Sequence, residues 1–416
     1  MSIWRISGGG RLEGSVRVQG AKNAVLPMIA ASLLTGCETE FLNCPRLSDV
    51  EAATDILRHL GCKADMVDDV LNIDSRELCR CDIPKELMHR MRSSVIFLGP
   101  LLARCGEARA SVPGGCELGP RPIDLHLEAL RRLGAEVEEG EDGIICRADR
   151  LHGAEISLSL PSVGATENAM LAACAAEGTT VIYNAAREPE IEALQDYLRL
   201  LGAEVRGAGT PVVTVSGFIP RRRVGIRVIP DRIAAATLLC CTASTGGDIE
   251  IKGVCPSHLE PVTRALMEMG CRLIISGERI RIVASAPLRA PHAIVTRPYP
   301  GFPTDAAPLL MAASLKATGT TVFIENIFSS RYRHAGELQL LGADIGTHGS
   351  LAIVNGVETL RGARLRSTDL RGGAALVAAA LGAEGETEIF DEGHISRGYE
   401  ALDADLRMLG AEVHLE

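Results

Sequence analysis

The segment Ser111-Val-Pro-Gly-Gly-Cys-Glu-Leu-Gly-Pro-Arg-Pro-Ile-Asp124 holds three glycines and three prolines in fourteen residues, with one thiol, Cys116, five positions before Arg121. That content excludes a long helix or a central strand, so the segment reads as a loop. A cysteine on an exposed loop beside a cation has a lowered pKa and a reactive thiolate, whereas an incidental cysteine in a turn has neither. Lys22 and Asn23 open a helix directly after Val-Gln-Gly-Ala. A lysine there opposes the helix dipole unless an anion is held at the same end. Arg92 in MRSS, Arg331 in SSRYRH, Arg371 in TDLRGG and Arg397 in ISRGYE stand beside small residues at element ends. Singly, each reads as a solvated or salt-bridged arginine. Converging, they would grip a carboxylate or phosphate in a fork. Asp305, closing Pro-Gly-Phe-Pro-Thr-Asp before an uncharged helix, reads either as a general base or as an N-cap, and Asp124, Asp231 and Asp369 share that ambiguity. Ser162, Val163 and Gly164 open an apolar helix whose first amides suit either an anion or a side-chain cap.

The elements that must position these residues repeat. Six times the chain reads Leu, two variable residues, Leu or Met, Gly, then Ala or Cys, with the glycines at 61, 134, 202, 270, 342 and 410, spaced 73, 68, 68, 72 and 68 residues apart. Each phrase reads as an amphipathic helix stopped by a left-handed glycine and followed by a strand. The period is too long for a common solenoid, so each unit holds several helices and strands. A second shared feature is an Ala/Leu-rich helix running into Gly and then a β-rich stretch, as in LAACAAEGTTVIYN, LLMAASLKATGTTVFIEN and ALVAAALGAEGETEIF; the glycine is expected to stop the helix and start the strand. The fold class is therefore α/β, in six units dividing three and three near residues 227–231. The stretch 1–21 reads as two strands around a Gly-rich turn, able to complete a sheet of the C-terminal half.

The chain has 416 residues, a net charge of −10 and 3% aromatic residues, so small aliphatics must fill its cores. The acidic balance argues against a nucleic-acid partner. Thirteen scattered cysteines without a Cys-x-x-Cys pair fit a reducing, cytoplasmic setting and no structural zinc site, so no metal is expected. The first ten residues lack the apolar stretch of a signal peptide, and no uncharged run is long enough to span a bilayer, so no membrane partner is expected.

The motifs GAKNA, MRSS, PGGCELGPRPIDLH, SVGATEN, NAAREPEI, FPTD, TDLR and RGYE, in this order along essentially the whole chain, resemble those of the UDP-N-acetylglucosamine 1-carboxyvinyltransferase family of enolpyruvyl transferases. The resemblance implies a two-domain inside-out α/β barrel built from six repeated units, three per domain. One domain would span 22–229, the other 1–21 with 230–416, and the active site would lie in the cleft between them. It implies the substrates phosphoenolpyruvate and UDP-N-acetylglucosamine, no cofactor, and a possible covalent phosphoenolpyruvate adduct on Cys116. In that reading Cys116, on a lid loop, is the general acid and Asp305 the base. Lys22, Arg121 and Arg397 hold phosphate, and Arg331 and Arg371 hold the carboxylate. The nucleotide sugar would contact Asn23, Arg92, Arg121, Pro122, Ile123, Asp124, Leu125, Ser162, Val163, Gly164, Asp305 and Ile327. The resemblance also implies alkylation of Cys116 by fosfomycin. Leu160-Pro161, where some relatives place lysine, and Ile96, where some place tryptophan, bear on sugar-nucleotide affinity. Rival readings are the sister enzyme acting on shikimate 3-phosphate, whose family lacks the loop cysteine, a silent relative sensing sugar nucleotides, and an RNA-terminal cyclase.

Overall fold

The computed structural model describes residues 2–111, 123–141, 143–217, 222–285 and 287–416, with the side chain of Arg92 outside that description. The described chain forms two compact units, one of residues 20–229 and one of residues 2–19 with 230–416. Each has its own hydrophobic core. The backbone passes between them at residues 19–20 and 229–230. Within one unit Ala21 N donates to Ile229 O at 2.7 Å, and within the other Asp231 N donates to Gln19 O at 2.9 Å.

Among the described residues six four-stranded sheets carry the repeat, three in each unit. All share one pattern: an edge strand parallel to the second, the second antiparallel to the third, the third antiparallel to the fourth. The strand Asp248–Lys252 shows why such a sequence makes a half-buried sheet: Ile249 and Ile251 are buried, while Asp248, Glu250 and Lys252 alternate onto the wetter face. The N-terminal stretch supplies two strands, as read, but to two different sheets. Ser2–Gly8 runs between Gly385–Asp391 and Glu412–Leu415, and Glu13–Arg17 edges the sheet of Asp248–Lys252.

Each unit encloses three helices that are largely buried, with Leu98–Cys105 reaching the surface only in its last turn. They are Lys22–Thr35, Leu98–Cys105 and Val163–Ala173 in one, and Arg232–Thr245, Ala307–Ser314 and Leu370–Gly382 in the other. A helix without a polar face has to be buried, and here sheets and amphipathic helices cover it, so each barrel is inside-out. All six repeat glycines follow an amphipathic helix with φ between 89° and 108°. The other glycine expectation is corrected. The helices ending at Ala173 and Ser314 stop five residues before Gly178 and Gly319, and the glycines, at φ 96° and 111°, instead turn the chain into the next strand. Among the described residues no helix is long and apolar enough to cross a membrane, and no group of His, Cys, Asp and Glu is arranged to hold a metal ion.

Candidate active site

In the unit containing the C-terminus, three of the singled-out residues meet. Asp305 lies just ahead of the helix Ala307–Ser314, whose N-cap is Ala306. Its carboxylate does not cap that helix; two buried guanidinium groups hold it instead. Arg331 Nη2 stands 2.7 Å from Oδ1, and Arg371 Nε and Nη2 each stand 3.2 Å from Oδ2. The Arg331 and Arg371 side chains are 1% and 3% exposed, whereas that of Asp305 is 28% exposed. The carboxylate thus keeps one reachable face while its cations are locked. Arg331 is further fixed by Nε and Nη2 donating to Thr304 O at 3.0 and 2.7 Å, and by its position over the Phe328 ring.

Arg371 reaches Asp305 because the helix Leu370–Gly382 starts tightly. Asp369, which is an N-cap, accepts from the amides of Arg371 and Gly372 at 3.0 Å. A β-carbon at Gly372 would stand 2.6 Å from Thr368 Oγ1 and 2.7 Å from Asp369 Oδ2, so the Gly-Gly pair is a packing requirement. Arg371 Nη1 also donates to the buried Tyr399 hydroxyl at 3.2 Å, which is paired with Thr237 Oγ1 at 2.8 Å. Burial alone would lower the Arg371 pKa, but Tyr399, Asp305 and Asp231 outweigh it and hold the guanidinium above its ordinary value. Behind Arg331, His334 Nδ1 pairs with the Arg331 carbonyl at 3.2 Å. Burial, helped by the Arg331 charge and opposed by Asp369, pushes the imidazole down to about 4, so it is neutral at pH 7.

Arg397 ends the short turn Ile395–Arg397, half-buried in the same unit. Asp391 anchors that turn through the amides of His394 and Ile395. Gln19 pins the next stretch of chain, donating to Gly398 O at 3.0 Å and accepting from Glu400 N at 2.9 Å. Ile327, 40% exposed, belongs to this unit as well.

The 20–229 unit carries the rest. Lys22 is the first residue of its helix, and the anion required at that end is Asp49, whose Oδ2 is 3.0 Å from Nζ with both side chains under 10% exposed. The chain enters this helix through Gly20, where a β-carbon would lie 1.9 Å from Asn43 O, so only glycine fits that approach. Asn23 comes next along the helix, half-buried. Ser162 caps the helix Val163–Ala173, its hydroxyl accepting from Ala165 N at 3.4 Å. Ile123 precedes the helix Asp124–Arg132, with Asp124 exposed and Leu125 partly buried. The two segments are joined by His126: a β-carbon at Gly164 would stand 3.0 Å from its Cε1, and its Nδ1 is 3.2 Å from Asn168 Nδ2. Asn168 Oδ1 in turn accepts from Gly99 N at 2.7 Å. Burial pushes His126 down to about 4. Nearby in sequence, Glu167 is buried, and that burial together with the Glu190 and Glu188 charges pushes its carboxyl well above the usual range. Cys116, Arg121 and Pro122 lie outside the described residues, as does the side chain of Arg92.

Sequence reading missed Asp49, Tyr399, Gln19 and His126 as site partners, and Glu325, whose carboxylate accepts from the Thr304 hydroxyl at 2.9 Å beside Asp305. Tyr399 and His126 lie inside the RGYE and PGGCELGPRPIDLH motifs. Asp49 and Gln19 carried no local signal, because their partners are 27 and roughly 380 residues away.

The family model described as EPSP synthase (3-phosphoshikimate 1-carboxyvinyltransferase) matches residues 6–406. UDP-N-acetylglucosamine 1-carboxyvinyltransferase 2 of Caldanaerobacter subterraneus subsp. tengcongensis is 46% identical, with 99% of each chain covered. UDP-N-acetylglucosamine 1-carboxyvinyltransferase 1 of Symbiobacterium thermophilum is 47% identical over 98% of this chain and 94% of its own. Among solved structures, the enolpyruvyl transferase NikO from Streptomyces tendae superposes with a TM-score of 0.90 at 27% identity, covering 100% of this chain and 98% of its own. An EPSP synthase from Acinetobacter baumannii shares the fold, with a TM-score of 0.74 at 21% identity and 100% of each chain covered. With a full-length family match and relatives this similar end to end, the chain belongs to the enolpyruvyl transferase family, among its UDP-N-acetylglucosamine 1-carboxyvinyltransferases.

Proposed function

We propose that this protein transfers the enolpyruvyl group of phosphoenolpyruvate to the 3-hydroxyl of UDP-N-acetylglucosamine and releases phosphate, the first committed step of peptidoglycan precursor synthesis, in the cytoplasm. The observation that carries the reading is a half-exposed carboxylate, Asp305, clasped by two buried guanidinium groups in a chain of this family. The vinyl carbon of phosphoenolpyruvate is a poor electrophile until its methylene end gains a proton, which Cys116 would supply. The sugar oxygen then bonds to the activated carbon while Asp305 takes the hydroxyl proton, giving a tetrahedral ketal. Loss of phosphate, with a proton from the new methyl group, restores the double bond. Cys116 Sγ can also trap the activated carbon as a covalent adduct.

Lys22, Arg121 and Arg397 are the proposed phosphate ligands, and Arg331 and Arg371 the carboxylate ligands. A carboxylate held by two guanidiniums is a weak base. A substrate carboxylate gripping Arg331 and Arg371 would displace Asp305 and free it for the hydroxyl proton. Asn23, Arg92, Ile123–Leu125, Ser162–Gly164 and Ile327 would hold the sugar nucleotide. No cofactor is called for: the step needs protons moved and anions held.

The test is phosphate release from phosphoenolpyruvate with and without UDP-N-acetylglucosamine, in wild type and Cys116→Ser, with shikimate 3-phosphate as the competing acceptor. Release that requires the sugar nucleotide and collapses in the variant is expected. Fosfomycin should add one adduct mass to wild type and none to Cys116→Ser. Release with shikimate 3-phosphate alone would overturn the acceptor.

A further inference from the structure

Glu325 lies just after the strand Thr320–Ile324 and is 3% exposed, yet the proposed reaction assigns it no step. Its carboxylate is shared between two places. Oε1 accepts from the amides of Ile327 at 2.7 Å and Phe328 at 3.0 Å, and Oε2 accepts from the Thr304 hydroxyl at 2.9 Å. Thr304 is the residue before Asp305, and its carbonyl is the acceptor for Arg331. Arg331 lies over the Phe328 ring, 5.5 Å from its centroid, and grips Asp305. The contacts therefore close a circuit: Glu325 to the Ile327–Phe328 turn, Phe328 to Arg331, Arg331 to Thr304 and Asp305, and Thr304 back to Glu325. A buried carboxylate is costly unless its lone pairs are filled, and here the groups filling them belong to the two segments that must stay in register during the reaction.

We infer that Glu325 is a positioning residue that ties the sugar-nucleotide contact at Ile327 to the reacting carboxylate of Asp305, so that the sugar hydroxyl and its base are aligned by one side chain. This rests on the carboxyvinyl-transfer reading. The charge of Glu325 is not itself required: an amide can accept the two backbone N–H groups with its oxygen and donate to the Thr304 hydroxyl with its nitrogen.

The experiment compares Glu325→Ala, Glu325→Gln and Thr304→Val in steady-state kinetics with both substrates varied, alongside calorimetric titration with UDP-N-acetylglucosamine and a denaturation midpoint for each variant. Glu325→Ala should raise KM for the sugar nucleotide about tenfold and lower kcat by about tenfold to 10²-fold, because a misplacement of about 1 Å can cost up to about 10²-fold. Glu325→Gln should recover most of both. Thr304→Val, which cuts only the Asp305 side, should lower kcat while leaving sugar-nucleotide affinity within about twofold of wild type. A folded Glu325→Ala with wild-type KM and kcat would overturn the inference, as would a Glu325→Gln that stays folded and is no better than Glu325→Ala. If wild type itself neither binds UDP-N-acetylglucosamine nor releases phosphate with it, the proposed function fails, and this inference fails with it.

Discussion

The two units present the same scaffold and opposite electrostatic strategies at their helix starts. In the unit of residues 2–19 and 230–416, the buried side chains of Arg331, Arg371, Tyr399 and Thr237 form a bonded cluster with the partly exposed Asp305. In the 20–229 unit one buried ion pair, Lys22–Asp49, stands apart from a neutral group of His126, Asn168, Gly164 and the Ser162 cap. Charges held in a desolvated, fixed network are worth most where charge moves during a reaction. Neutral caps and half-exposed edges suit recognition of a ligand already bearing its charge. Repeats of one strand pattern thus carry different side-chain chemistry in the two units.

If that contrast is right, damage to the charged cluster should hurt the chemical step far more than damage to the neutral group. Arg371→Met removes one of the two cations on Asp305. We expect phosphate release to slow about 10²- to 10³-fold, and stability to drop by up to about 3 kcal/mol, below the largest buried-pair values because Asp305 is partly solvated. Rates with folded protein and a denaturation curve check both; a loss of under about tenfold would break the comparison.

Asp49→Asn keeps the shape around Lys22 but removes the facing charge. The ammonium then holds its anion less well oriented, and KM for phosphoenolpyruvate should rise about tenfold with a smaller change in kcat. A pure kcat loss would instead assign Lys22 to the chemical step.

Each unit also carries one buried neutral histidine, which allows the units to be read separately. His126 and His334 titrate near about 4 in the fold, below the ordinary 6.5. Between those values the unfolded chain binds the extra proton and the folded chain does not. Stability therefore falls as pH drops through that window, by up to about 1.4 kcal/mol per pH unit for each histidine. Denaturation from pH 7 to pH 4, with His126→Gln and His334→Gln as references, should show the slope shrinking in each variant. An unchanged slope in one would mean that unit is not the acid-sensitive one.

The mildest change is Gly164→Ala, which presses a methyl group onto the His126 ring. It should cost about 1 kcal/mol and raise KM for UDP-N-acetylglucosamine a few-fold without altering kcat. A fall in kcat alone would blur the division between recognition and chemistry.

Much of the architecture could be read along the chain because it is local. A Leu-rich amphipathic turn ending in glycine dictates a helix end, and all six such glycines are left-handed. The largely apolar helices had to be interior, since they offer little solvent-facing side. The sixfold spacing then implied repeated units, and the order of motifs identified the family. Asp305 and its two arginines were legible as candidates from their residue types beside small residues at element ends, though each also had an ordinary reading as a cap or a surface charge.

What stayed hidden depends on partners far apart in sequence. Whether Asp305 caps a helix or meets Arg331 and Arg371 depends on where the chain returns 26 and 66 residues later. The anion beside Lys22, the clamp of Gln19 on Gly398 and Glu400, and the Thr304–Glu325 bond all arise the same way. Residue type and spacing constrain φ and ψ through neighbours a few positions away. Pairing between side chains is decided by packing, which brings together groups whose separation along the chain carries no local trace.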